Sequence, residues 1–161
     1  MVPYRLLVVA IAAALVLPAS AGAAPRATAP TPLSVAAAAG QRHWGAMPCG
    51  GRITFLTERQ PVAGLDPASD AWVTFDSPLG ANNLAAPAGT YTNCTVNLGR
   101  KRWPRIASMR ADWDMFCATM IHELGHLLGH PHDSAAHSVM APVFTDHSFV
   151  PPICRTTRPP R

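Results

Sequence analysis

The spacing of apolar positions divides this chain into segments of different character. An unbroken apolar run from Leu6 to Leu17 follows Arg5 and gives way to small residues, Ala19-Ser20-Ala21-Gly22-Ala23-Ala24. From Pro25 to Gly40 the chain is mostly Ala, Pro and Thr, with almost no bulky apolar side chain to bury. Arg52-Ile53-Thr54-Phe55-Leu56 and Ala71-Trp72-Val73-Thr74-Phe75 then alternate apolar with polar or β-branched residues, as half-buried strands do. Thr90 to Leu98 reads as another strand, entered from the turn residues Pro87-Ala88-Gly89. Pro104 blocks a continuous helix from the preceding loop, and Asp112 and Asp114 favour a helix start near its positive end. A helix is expected from about Asp112 to Leu128, with the stripe Phe116, Met120, Leu124 and Leu127 facing the core and His122 and His126 on another face. Pro151-Pro152 and Pro159-Pro160 are expected to leave no room for a C-terminal helix.

The early segments set the expected organisation. Arg5, the apolar run and the small residues after it follow the plan of a secretory signal over 1–24, too short for a comfortable membrane span. Residues 25–40 are expected to be a linker or short pro-segment. The folded unit is expected at 41–161, starting near Gln41 and large enough for one core. Export places the four cysteines, an even number, where thiols oxidise, so pairing is the expectation. The formal net charge is +4. Part of it is concentrated in Arg100-Lys101-Arg102 with Arg105 and Arg110, which reads as a solvated basic loop, so no nucleic-acid partner is expected.

The predicted helix carries the chemistry. His122 and His126 are four residues apart, hence one turn apart on one helix face, where both imidazoles reach a single metal ion. Glu123 beside the first is placed to act as general base without being a ligand. Gly129 lets the chain leave the helix through a left-handed turn, after which His132 can return to the metal. His130 follows Gly129 too closely to turn back, so His132 is favoured as third ligand. A zinc-peptidase class that draws its third ligand from a distant downstream glutamate is excluded, because no glutamate follows Glu123.

His122 to His132 resembles the HExxHxxGxxH signature of the metzincin clan of zinc metallopeptidases, and Gly125 and Leu128 are similar to its matrixin form, in a small, secreted, bacterial variety. Ser138-Val139-Met140-Ala141-Pro142 resembles the clan's Met-turn, eight residues past His132. The resemblance covers about Arg52 to Phe144. It implies an α+β fold: a small twisted mixed sheet, an active-site helix carrying the zinc motif, and a Met-turn. It also implies one catalytic zinc on His122, His126 and His132, and leaves calcium open. Glu123 would be the general base of a zinc endopeptidase acting on protein or peptide substrates, with Met140 supporting the metal base. Asp133 would orient a ligand or neighbouring backbone. Pro142 and Phe144 would wall the pocket for the side chain just past the scissile bond, and Gly80 to Pro87 sits where the family has an edge strand above its cleft. Pro48-Cys49-Gly50 is faintly similar to the family's inhibitory cysteine segment, but Gly51-Arg52 lacks the rest of it. Of the three connectivities open to four cysteines, Cys49 with Cys94 and Cys117 with Cys154 are expected. The first would tie the N-terminal segment to the last strand, the second the proline-rich tail to the active-site helix. The other class of function open to the chain is an envelope-associated binding protein with a structural metal site and an adhesive basic loop.

Overall fold

A computed structural model describes residues 29–58, 69–135, 137–144 and 146–160. The expected signal over 1–24 lies outside them, and no described helix is long and apolar enough to cross a membrane.

The first element is helix α1, Pro32–Trp44, so the folded part begins well before Gln41 and the linker expected over 25–40 is corrected from Pro32 onward. The segment has few bulky side chains, but alanine is the strongest helix former and needs none, and Leu33, Val35 and Trp44 pack against the core. Thr31 caps the helix: its hydroxyl accepts from the Ser34 amide at 3.2 Å, and Ser34 Oγ accepts from the Thr31 amide at 2.9 Å. Pro32 occupies the first turn, and Gly45 ends the helix at φ 70. The small residues also decide the packing. A Cβ on Gly40 would stand 2.5 Å from Leu124 Cδ1, so α1 packs closely on the helix that carries Leu124, and a larger residue there would require that side chain to shift.

Three strands follow: β1, Thr54–Glu58; β2, Ala71–Asp76; and β3, Thr92–Gly99. Their order is β1-β3-β2, with β1 parallel and β2 antiparallel to β3, giving a mixed sheet whose outer strands among the described residues are β1 and β2. The edge strand expected over Gly80–Pro87 is not present. Those residues form turns, and the antiparallel outer strand is β2. Gly80 and Asn82 adopt positive φ, which breaks an extended run, and Asn82 fastens the loop to the end of β2. Its amide donates to Phe75 O and its Oδ1 accepts from the Phe75 amide, both at 2.8 Å.

Helix α2, Ile106–Ala111, leads directly into α3, Trp113–Leu127. Asp112 stands at the start of α3, but its carboxylate pairs with Arg102 rather than capping the helix. Arg102 also faces Asp70 at 3.8 Å, so one member of the basic cluster is held by internal acids. The stripe Phe116, Met120, Leu124 and Leu127 is fully buried and meets Val96, Leu98, Trp103 and Trp113 in the core.

The tail also departs from expectation. Residues Pro152–Thr156 form a short helix, α4, because Pro152 stands in its first turn, where a missing N–H costs nothing. Cys154 on α4 is bonded to Cys117 on α3, and Trp113 Nε1 donates to Cys154 O at 2.8 Å. A second disulfide joins Cys49 to Cys94 on β3.

Candidate metal centre

Helical spacing brings His122 and His126 together, with their Nε2 atoms 3.0 Å apart. The helix then ends in a Schellman turn: Gly129 N donates to His126 O at 2.9 Å, and His130 N donates to Gly125 O at 3.0 Å. Gly129 holds φ 86 in that turn, a conformation that a Cβ would strain. Two residues beyond His130, His132 Nε2 lies 3.2 Å from Nε2 of both helical histidines.

Each helical imidazole is held from behind. Nδ1 of His122 lies 2.7 Å from Val139 O, and Nδ1 of His126 lies 2.8 Å from His130 O. A carbonyl only accepts, so each Nδ1 carries the proton and each Nε2 presents its lone pair to the common centre. Burial pushes the His122 pKa down to about 4, helped by the charges of His126 and His132 and opposed by the Val139 carbonyl. His126 is also lowered, again chiefly by burial. Both rings are therefore neutral near pH 7, as a metal ligand must be.

Lone pairs facing one another at 3.0 to 3.2 Å repel unless a cation lies between them. Zinc–nitrogen distances of about 2.0–2.1 Å in a tetrahedral arrangement separate the nitrogens by roughly 3.3 Å. The three side chains present thus fit zinc, and among the described residues they are the one His, Cys, Asp or Glu cluster close enough to hold a metal ion.

Glu123 is 4 % exposed, and its Oε2 has no hydrogen-bond partner among the described residues. Burial alone raises its pKa to about 8. A buried carboxylate oxygen without a donor is costly to the fold and marks a group kept for a use other than stability.

The loop below the cluster is tied by Asp133. Its Oδ1 accepts from the Ala135 amide at 2.9 Å and its Oδ2 from the Ser138 hydroxyl at 2.8 Å, while its own amide donates to Met140 O at 3.1 Å. Asp133 thus ties the turn through hydrogen bonds to Ala135, Ser138 and Met140. The same turn supplies the Val139 carbonyl that holds His122. Met140 is buried against α3, where a Cβ on Gly125 would meet its Sδ at 2.6 Å.

Phe144 is half-buried, edge-on to His122 at 5.5 Å between ring centroids and stacked on Phe149 at 4.1 Å. Pro142 is exposed. A cavity of about 160 Å³ lies beside Phe144, bounded by Met115, Arg102, Asp112, Asp146 and His147. A larger one, about 500 Å³, opens between the starts of β1 and β3 and is lined by none of the three imidazoles. His137 and His147, expected at the surface, are exposed.

Sequence reasoning missed three groups. The Val139 and His130 carbonyls are backbone atoms with no side-chain signature. Trp44 lies at the far end of α1, yet its Nε1 donates to Ile121 O at 2.9 Å and its ring stacks on His130 at 4.4 Å.

A mixed α+β fold whose central helix and following turn bring three imidazoles together is consistent with a zinc metallopeptidase. The family model for the matrixins matches residues 65–151, more than half of the chain, and the chain belongs to that family. No curated protein and no solved structure matches it.

Proposed function

We propose that this chain is a secreted zinc-dependent endopeptidase, with His122, His126 and His132 as metal ligands and Glu123 as general base. The observation that carries the reading is the convergence of three Nε2 atoms next in sequence to a buried carboxylate oxygen with no partner among the described residues. Zinc, when bound, supplies Lewis acidity: it polarises the peptide carbonyl and brings the ionisation of a water towards neutral pH. Glu123 takes the proton from that water and returns it to the departing amine. Burial raises its pKa to about 8, and a cation held by the imidazoles would favour its ionised form. The Val139 and His130 carbonyls keep the two helical rings in the Nδ1–H tautomer through each turnover. Met140 supports the base of the site, and Asp133 keeps its turn closed. An extended peptide is expected to pair with the part of β2 before Phe75, whose own main-chain groups are taken by Asn82. The residue just past the scissile bond would lie against Pro142 and Phe144.

Export rests on the signal expected over 1–24. Two disulfides and the lack of a described membrane-crossing helix are compatible with it.

A peptide library digested by the purified, zinc-loaded protein tests the proposal. Cleavage should stop with a chelator, return with zinc, and be absent in Glu123→Ala. Full activity of that variant, or no cleavage of any peptide, would overturn it.

A further inference from the structure

His126 owes its orientation to one backbone acceptor, the His130 carbonyl at 2.8 Å from Nδ1. That carbonyl lies at the start of the exposed segment 130–135, where a chain leaving a helix is ordinarily loose. Two contacts restrain it. The His130 amide donates back to Gly125 O at 3.0 Å, and the His130 ring lies flat on the Trp44 indole, 4.4 Å away and tilted by 18°. The indole is itself fixed. Its Nε1 donates to Ile121 O at 2.9 Å, and its Cζ2 sits where a Cβ on Gly125 would be only 2.8 Å away. Trp44 therefore touches α3 at Ile121 and Gly125, the residues immediately before His122 and His126.

We propose that Trp44 and the imidazole of His130 form a positioning pair for the metal centre: the stack holds the His130 carbonyl against His126 Nδ1 and so fixes the direction of the His126 Nε2 lone pair. The inference rests on the metal-site reading above. His130 then has a function without being a ligand, consistent with its ring lying against Trp44 and outside the three-imidazole cluster. The pair also explains why α1 is docked at the zinc motif: the helix delivers an aromatic platform to the back of the site. Partners that orient metal-binding histidines commonly change metal affinity by about 10- to 100-fold when removed, and an indirect support such as this stack belongs at the lower end.

The test is zinc release from the loaded full chain into excess chromogenic chelator, with thermal unfolding of the metal-free protein measured alongside. His130→Ala should release zinc about tenfold faster than the unsubstituted protein, while the metal-free melting temperature stays unchanged because the side chain is exposed. His130→Phe, which restores an aromatic ring over Trp44 but cannot bind metal, should release it at close to the original rate. Trp44→Leu should reproduce the faster release of His130→Ala, and combining the two should add little. Unchanged release from His130→Ala would overturn the pairing. Release from His130→Phe as fast as from His130→Ala would also overturn it, by showing that the imidazole and not the stack matters. Failure of the unsubstituted protein to hold zinc would instead remove the metal-site reading, and this inference with it.

Discussion

Replacing Cys117 and Cys154 by alanine removes the bond between the active-site helix and the tail, and its cost can be worked from the geometry. The bond closes a loop with a sequence separation of 37. Loop-closure entropy for that length, −2.1 − 1.5R ln n, corresponds to about 4 kcal/mol at 25 °C. Both cysteines are fully buried, so removing two sulfur atoms also leaves a small void, worth roughly 1 kcal/mol more. The Cys49–Cys94 bond is an internal control. Its separation of 45 gives nearly the same closure term, again about 4 kcal/mol, but Cys49 is only half-buried. Urea unfolding of both double-alanine variants should therefore show two large losses, with Cys117→Ala/Cys154→Ala the greater by about 1 kcal/mol. Against a domain stability of about 5–15 kcal/mol, that variant stands near the unfolding threshold at 37 °C. At low temperature its turnover should persist, because the bond braces the start of α3 and the three imidazoles follow at its other end. A loss below about 1.5 kcal/mol, or a greater loss from the Cys49–Cys94 pair, would refute the brace.

Three further outcomes are expected. Gly125→Ala, whose Cβ would press on Met140 Sδ and Trp44 Cζ2, should cost about 1–3 kcal/mol and weaken zinc binding; urea unfolding with zinc competition checks both. In the metal-free protein, the raised pKa of Glu123 makes its contribution to stability full below about pH 4.5 and lost as pH rises through 8, whereas the lowered His122 contributes above pH 6.5 and loses that contribution as pH falls through 4. Between pH 6.5 and 8 stability should drop by about 2 kcal/mol, and Glu123→Gln should abolish that drop while abolishing turnover. Cleavage should favour the amino side of Leu, Ile, Met or Phe over Asp or Lys, since burial against Pro142 and Phe144 gains an apolar side chain roughly 1.5–3 kcal/mol; sequencing the products of a mixed peptide digest decides it, and a flat distribution would refute the assigned wall.

What the chain's order of residues determines by itself is local. The alternation at Ala71–Phe75, the buried stripe of α3 and the one-turn spacing of His122 and His126 follow from backbone periodicity, which needs no knowledge of the rest of the molecule. The turn at Gly129 is legible for the same reason, since a left-handed position selects its residue. Other features depend on partners distant in sequence. The alanine-rich segment has local helix signals in Thr31, Pro32 and Gly45, but its place against Leu124 and Ile121 is set by tertiary packing. Gly80 to Pro87 could be extended or turned until Asn82 found both main-chain groups of Phe75. Pro152 excludes a helix interior but not a first turn, and the partners met by Cys154 and Trp113 complete the short α4. Only the tertiary structure decides what holds the imidazoles from behind. The Val139 and His130 carbonyls are common to every residue type, and Trp44 reaches the site from α1 across 77 positions of sequence to Ile121. The candidate ligands are legible because they are side chains, two of them at helical spacing; their orientation is not, because it resides in backbone atoms and in a contact that exists only once the helices have packed.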